Sequence, residues 1–245
     1  MDHFELRNGE LYAEDVPLAR IAAEIGTPVY VYSRATLERH ARVFREGLSM
    51  LPKAHLAFAV KSNPNLAVLK ILQREGYGAD VVSGGELERA LRAGMPAEDV
   101  VNSGVGKTAR ELLRGIEAGI GQFNIESEEE GRELAAIAEA MGASAPCALR
   151  VNPDIDAGTH DKISTGKADN KFGVPIDEAP GIYSRLSSLP GLDMRGVAVH
   201  IGSQLSDLAP LEKADCGTAR GGPQGQPCRS RRRPWRAVQG GRSDA

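Results

Sequence analysis

The sequence predicts an α/β protein built on a parallel sheet. Three observations carry this: apolar strand-like runs alternate with amphipathic helical patterns, the helical patterns open on cap signals, and they close on glycine. The strand-like runs fall at 56–61, 79–82, 99–102, 122–126, 146–151 and 194–201. The helical patterns fall roughly at 34–50, 66–75, 84–93, 109–118, 128–141 and 178–188. Ser83 with Glu86, Thr108 with Glu111 and Ser127 with Glu130 have capping-box spacing. In that device the hydroxyl accepts from a first-turn amide and the acid reaches back to the N–H of the cap residue. Gly94, Gly119 and Gly142 follow the last periodic residue, where a left-handed residue closes a helix. Strand–helix alternation at this spacing implies parallel pairing through right-handed crossovers. Six strands suit either an open doubly wound sheet or part of an eight-stranded barrel, and periodicity does not choose between them.

Before this alternation, residues 5–32 read as short extended pieces around one small helix. Val29-Tyr30-Val31-Tyr32 is β-branched and aromatic, a strand signature. After Ala214 the pattern stops. No Leu, Ile, Met, Phe or Tyr follows, and Gly, Pro, Arg and Gln dominate. Such a segment cannot bury enough apolar area to offset its chain entropy, so 215–245 is expected to be disordered. It holds seven Arg and two Asp, net +5, so the −3 of the whole chain leaves −8 on residues 1–214.

Composition excludes several classes. With 245 residues and 41% hydrophobic content, a globular core is within reach. A net charge of −3 argues against a dedicated nucleic-acid binder, and Arg229 with Arg231–Arg233 form only one short cluster in a Gly/Pro-rich stretch. No apolar run approaches the roughly 18–20 residues that span a bilayer. Met1 to Glu10 is polar and acidic, unlike a secretory leader. Three cysteines give no disulfide framework, and Cys216 and Cys228 lack the second pair or nearby His of a zinc site. The expectation is a cytoplasmic protein with no nucleic-acid or membrane partner and no metal.

Two segments invite chemistry. Gly104-Val105-Gly106-Lys107-Thr108 looks like a phosphate loop, but that motif needs a glycine five residues before Gly106, where Val101 stands. The second is Ala57-Phe58-Ala59-Val60-Lys61-Ser62-Asn63-Pro64-Asn65, in which a lysine ends an apolar strand and a turn follows. From the residues alone Lys61 is either a surface lysine at a strand end or an amine at the mouth of a parallel barrel. In a mouth, desolvation would favour the neutral amine that a Schiff base needs.

The Lys61 segment resembles the cofactor-lysine motif of the fold-type III pyridoxal-phosphate decarboxylases. Further matches follow in the family's order. Gly78-Ala79-Asp80-Val81-Val82-Ser83 resembles its second barrel strand, Leu149-Arg150-Val151-Asn152-Pro153 its fifth, and His200-Ile201-Gly202-Ser203-Gln204 the end of its sixth. The stretch Gly158-Thr159-His160-Asp161-Lys162-Ile163-Ser164-Thr165-Gly166, followed by Asn170-Lys171-Phe172-Gly173, resembles the active-site loop of the diaminopimelate decarboxylases. The resemblance covers about residues 5 to 214. It implies a (β/α)8 barrel of the alanine racemase-like kind, present here as about six of eight strands, and pyridoxal 5'-phosphate as cofactor. It also implies roles. Lys61 would join the cofactor through a Schiff base, and His200 would lie against the pyridine ring. Ser203 would donate to the phosphate, Asp80 and Arg150 would line the pocket, and His160 and Lys162 would lie in the loop over the substrate. From the residues alone His200 could instead be a satisfied core histidine, and Arg150 a barrel-layer salt bridge. The implied reaction converts meso-diaminopimelate to L-lysine and carbon dioxide in a homodimeric lyase. Relatives acting on arginine or ornithine, or a non-catalytic barrel that carries the cofactor, are the alternatives.

The same resemblance divides the chain into 1–32, which would join a β-domain, 33–214, the partial barrel, and 215–245, which is foreign to the family. The family's seventh strand with its glycine-rich phosphate loop, its Glu-Pro-Gly-Arg motif and its C-terminal domain are not found. A frameshift after Ala214 is one expectation, because Arg232-Arg233-Pro234-Trp235-Arg236-Ala237 can be encoded so that a one-base shift reads Val-Asp-Leu-Gly-Gly-Leu. On this reading the chain as written has little decarboxylase activity.

Overall fold

The computed structural model describes residues 3–51, 53–153, 172–202 and 209. A small antiparallel sheet opens the chain: β1 (Phe4–Arg7), β2 (Glu10–Ala13) and β3 (Val16–Pro17), followed by the short helix α1 (Leu18–Ile25). The expected strand at Val29–Tyr32 is not formed. These residues follow a cis Thr27–Pro28 bond and run without sheet pairing, with Tyr30 89% exposed. Strand propensity reports fit to a half-buried pleated surface, and no neighbouring strand among the described residues offers one here.

After α2 (Arg34–Gly47) comes the alternation that the sequence predicts. In order it runs β4 (Ala57–Ala59), α3 (Leu66–Arg74), β5 (Gly78–Val81), α4 (Gly84–Arg92), β6 (Val100–Asn102), α5 (Ala109–Ala118), β7 (Gln122–Ile125), α6 (Glu128–Ala140) and β8 (Ala145–Asn152). The two-residue β9 (Val174–Pro175), α7 (Ala179–Ser187) and β10 (Leu192–Ala198) complete it. The strands pair in parallel in the order β4-β5-β6-β7-β8-β10, with β9 pairing off this path to the end of β8. That order settles what periodicity left open. A doubly wound sheet reverses its strand order at a switch point, whereas a barrel adds each strand beside the last. The described residues thus form six strands of a (β/α) barrel.

The core lies between the strands and the inner faces of the helices. Leu69, Leu87, Leu112, Leu134 and Leu186, one each from α3 to α7, are almost completely buried in one core cluster with Phe123, Ile125 and Leu149 of the sheet. Each such side chain contributes roughly 1.5–3 kcal/mol on burial. Of the three expected capping boxes only Thr108–Glu111 is reciprocal. Ser83 and Ser127 do accept from the Glu86 and Glu130 amides. The Glu86 side chain, however, reaches one residue further, to the Val82 N–H, and Glu130 is taken by Lys107. Gly119 closes α5 at φ 70°, and Gly94 and Gly142 follow α4 and α6 in the same left-handed region.

Candidate active site

The C-terminal ends of the parallel strands carry polar side chains, as barrel mouths do. Register fixes their level. Ala59 lies opposite Asp80, Asp80 opposite Val101, and Ala198 opposite Arg150. Lys61 stands two residues beyond Ala59 and His200 two beyond Ala198. Lys61 lies in a single 3-10 turn, Val60–Ser62, where the Ser62 hydroxyl donates to the Ala59 carbonyl at 2.7 Å. Asn65 then caps α3 by accepting from the Ala67 amide at 2.9 Å. Strand, turn and cap together hold the lysine at the rim.

The structure brings Lys61, Asp80, Arg150 and His200 into one electrostatic cluster. Burial pushes the Asp80 carboxyl up, while Ser103, Lys61 and Arg150 pull it back. Asp80 Oδ1 is buried without a hydrogen-bond partner among the described residues. Burial, with the positive charges of Arg150 and Lys61, drives the His200 imidazole down to about 4, so the ring is neutral at pH 7. Ser103 is in turn the acceptor of the Asn124 amide at 2.8 Å, and Asn124 accepts from Gln122 at 2.8 Å.

Arg150 is buried and donates to Glu126 Oε1 at 2.6 Å. The barrel-layer salt bridge left open by the residues is therefore present, and it coexists with the reach of Arg150 to Asp80 and His200. Sequence reasoning missed Glu126. Its one signal was a carboxylate ending the apolar run 122–126, a place where a buried charge needs a partner. The structure places Lys61 at the rim in the open. Lys61 is exposed rather than desolvated, because β4 is the edge strand and only β5 pairs with it among the described residues. Ser203, His160 and Lys162 lie outside the described residues, as does 215–245. Lys107 of the phosphate-loop lookalike is buried, with its amine donating to Glu130 at 2.6 Å and to the Asn124 carbonyl at 2.7 Å. Among the described residues no group of acids, His and Cys could hold a metal, and no helix is long and apolar enough to cross a membrane.

Residues 34–217 match the model of the pyridoxal-dependent decarboxylase, pyridoxal binding domain. The chain belongs to the pyridoxal-dependent decarboxylase family. Over 213 residues it is 53% identical to the diaminopimelate decarboxylase of Zymomonas mobilis, covering 86% of this chain and 51% of that protein. The solved diaminopimelate decarboxylase of Helicobacter pylori complexed with L-lysine is 36% identical, with a TM-score of 0.79 over 83% of this chain and 52% of that one. A SrLDC mutant solved in complex with PLP is 25% identical, with a TM-score of 0.70 over 90% of this chain and 52% of that one. The chain spans about half the length of the curated relatives it matches.

Pyridoxal phosphate is the cofactor of this decarboxylase family, and the described residues suit it. The site offers an accessible lysine amine, a neutral flat imidazole, and a buried carboxylate oxygen with an unfilled acceptor position.

Proposed function

We propose that this chain is the cofactor-barrel portion of a diaminopimelate decarboxylase, a lyase that converts meso-diaminopimelate to L-lysine and carbon dioxide. One observation carries the reading. Lys61, Asp80, Arg150 and His200 come from four different strand ends, and the charges of Lys61 and Arg150 act on both Asp80 and His200. Identity of 53% to a curated diaminopimelate decarboxylase supports the substrate class, and the L-lysine complex of a solved relative supports the product.

In this reading Lys61 offers the primary amine that holds the cofactor covalently and yields to the amine of the substrate. When bound, pyridoxal phosphate supplies an electron sink for the pair left by the departing carboxylate. The neutral His200 ring presents a flat face without adding charge at the sink. Asp80 accepts a hydrogen bond through its open oxygen, and Arg150 keeps positive charge beside both. Ser203 would donate to the phosphate, and His160 with Lys162 would meet the substrate. The proposal extends to a cytoplasmic homodimer, with residues 1–32 joining a further domain, 33–214 forming the cofactor barrel and 215–245 standing apart from it.

The test is an absorbance titration of the purified chain with pyridoxal phosphate, with Lys61→Ala as control. The expected result is a band at ~420 nm in the parent only, the wavelength being general to this cofactor chemistry. Equal spectra in the two proteins would refute the assignment of Lys61. In the full-length context, faster carbon dioxide release from ornithine or arginine than from meso-diaminopimelate would overturn the substrate.

A further inference from the structure

Glu126 follows directly on β7, and its side chain is only 7% exposed. Both of its carboxylate oxygens are engaged. Oε1 accepts from Arg150 Nη1 at 2.6 Å, and Oε2 accepts from the Gly173 N–H at 2.9 Å. Arg150 belongs to β8, and Gly173 leads into β9, so one side chain joins three consecutive segments of the wall. The Arg150 guanidinium carbon also stands 5.1 Å from the centre of the Phe172 ring. Gly173 has φ +73°, and a Cβ there would come within 2.9 Å of the Arg150 carbonyl oxygen, so only glycine lets the backbone approach this closely.

We infer that Glu126 is a positioning residue for the cofactor site: by spanning Arg150 and the Gly173 amide it fixes where the Arg150 guanidinium stands relative to Asp80 and His200. An arginine on a strand end samples many rotamers, and its planar fork is useful only when its direction is set. Glu126 and Phe172 both restrain it. The charge of Arg150 is felt at both Asp80 and His200, so displacement of the guanidinium would change the polarity of the mouth where the cofactor ring is proposed to sit. The inference rests on the pyridoxal phosphate reading above. A purely structural ion pair would lock the wall and leave cofactor affinity untouched.

Glu126→Gln separates the two. It keeps an oxygen to accept from Gly173 and removes the charge that holds Arg150. Pyridoxal phosphate affinity, read from the Lys61-dependent band, and the urea unfolding midpoint are measured for the parent, Glu126→Gln, Arg150→Gln and the double variant. We expect Glu126→Gln to weaken cofactor affinity by about ten-fold or more when Arg150 is present, and by less than about two-fold when it is already Gln. Additive losses in affinity, or coupling confined to the unfolding midpoint, overturn the inference. If Glu126→Gln alone does not fold, the double variant, which buries no unpaired charge, is compared with Arg150→Gln. Equal affinities then support the inference, and a further loss of about ten-fold overturns it. A parent with no Lys61-dependent band overturns this inference and the cofactor reading together. A parent with the band but no coupling overturns this inference alone.

Discussion

Replacing Lys107 by Met tests the electrostatics of the barrel wall. The Lys107 and Glu130 side chains are 2% and 10% exposed and meet at 2.6 Å. At that distance and an effective dielectric of ~20, the attraction is about 6 kcal/mol. Desolvation of both ions offsets much of it, so the intact pair contributes little net stability. Removal of one partner is a different matter, because it leaves a carboxylate buried without its counter-charge. The expected loss is about 3–5 kcal/mol near neutral pH. Burial already pushes the Glu130 carboxyl up, and Lys107 is the main group pulling it down. Without Lys107 its folded value rises further above the unfolded one. The neutral form is then tolerated below the unfolded value, and the penalty grows as pH rises through the folded value. Urea unfolding at about pH 5 and about pH 8 checks this, and the Lys107→Met loss is expected to be larger at the higher pH. Adding Glu130→Met is expected to recover most of the loss, since an apolar pair of similar volume leaves no buried charge. A loss under about 1 kcal/mol at the higher pH, or a double variant no better than the single one, would refute the reasoning.

Two more outcomes follow from the packing and the titrations. His200 is held down at about 4 from an ordinary 6.5, so its contribution to stability is present above 6.5 and is lost as pH falls toward 4. The shift converts to at most about 3 kcal/mol, less for solvent at the part-exposed ring. Relative to His200→Gln, the parent is expected to lose stability as pH falls from 6.5 to 4, with a constant gap on either side of that window, and parallel curves across it would contradict this. Gly131→Ala is expected to destabilise α6 by about 1–2 kcal/mol, although Gly→Ala in a helix interior ordinarily gains about 1 kcal/mol. The added methyl would stand 2.6 Å and 2.9 Å from the two methyls of the fully buried Leu186. A raised thermal midpoint in that variant would mean that α7 yields easily.

Much of the fold was legible because its signals are local. A hydroxyl at Thr108 and an acid at Glu111 are three residues apart, and Gly119 ends its own helix. Apolar runs marked six strands to within about three residues. What failed were inferences that need a partner from elsewhere. Val29–Tyr32 has strand composition but no strand beside it among the described residues. Glu86 and Glu130 had the spacing of cap residues, but other groups of the fold claimed their side chains. The site was legible as a set of residues, through resemblance, but not as an arrangement. The exposure of Lys61 follows from its place just beyond β4, at the edge of the sheet among the described residues, and the bond of Arg150 to Glu126 joins positions 24 residues apart. Neither fact is written in a local pattern.

Lys61 and His200 sit beyond β4 and β10, the two outermost strands of the six, yet the charge of one is felt at the other. In a flat sheet those strands would be the two members furthest apart. That influence therefore depends on accumulated twist and coil, with every intervening strand adding its share of rotation. The site measures the curvature of the whole wall. A substitution at the sheet's centre, around Phe123 for example, could splay the two edges and dissolve the cluster without touching any residue in it. The separation of Lys61 from His200, followed by paired spin labels on neighbouring positions, would report strain anywhere in the sheet.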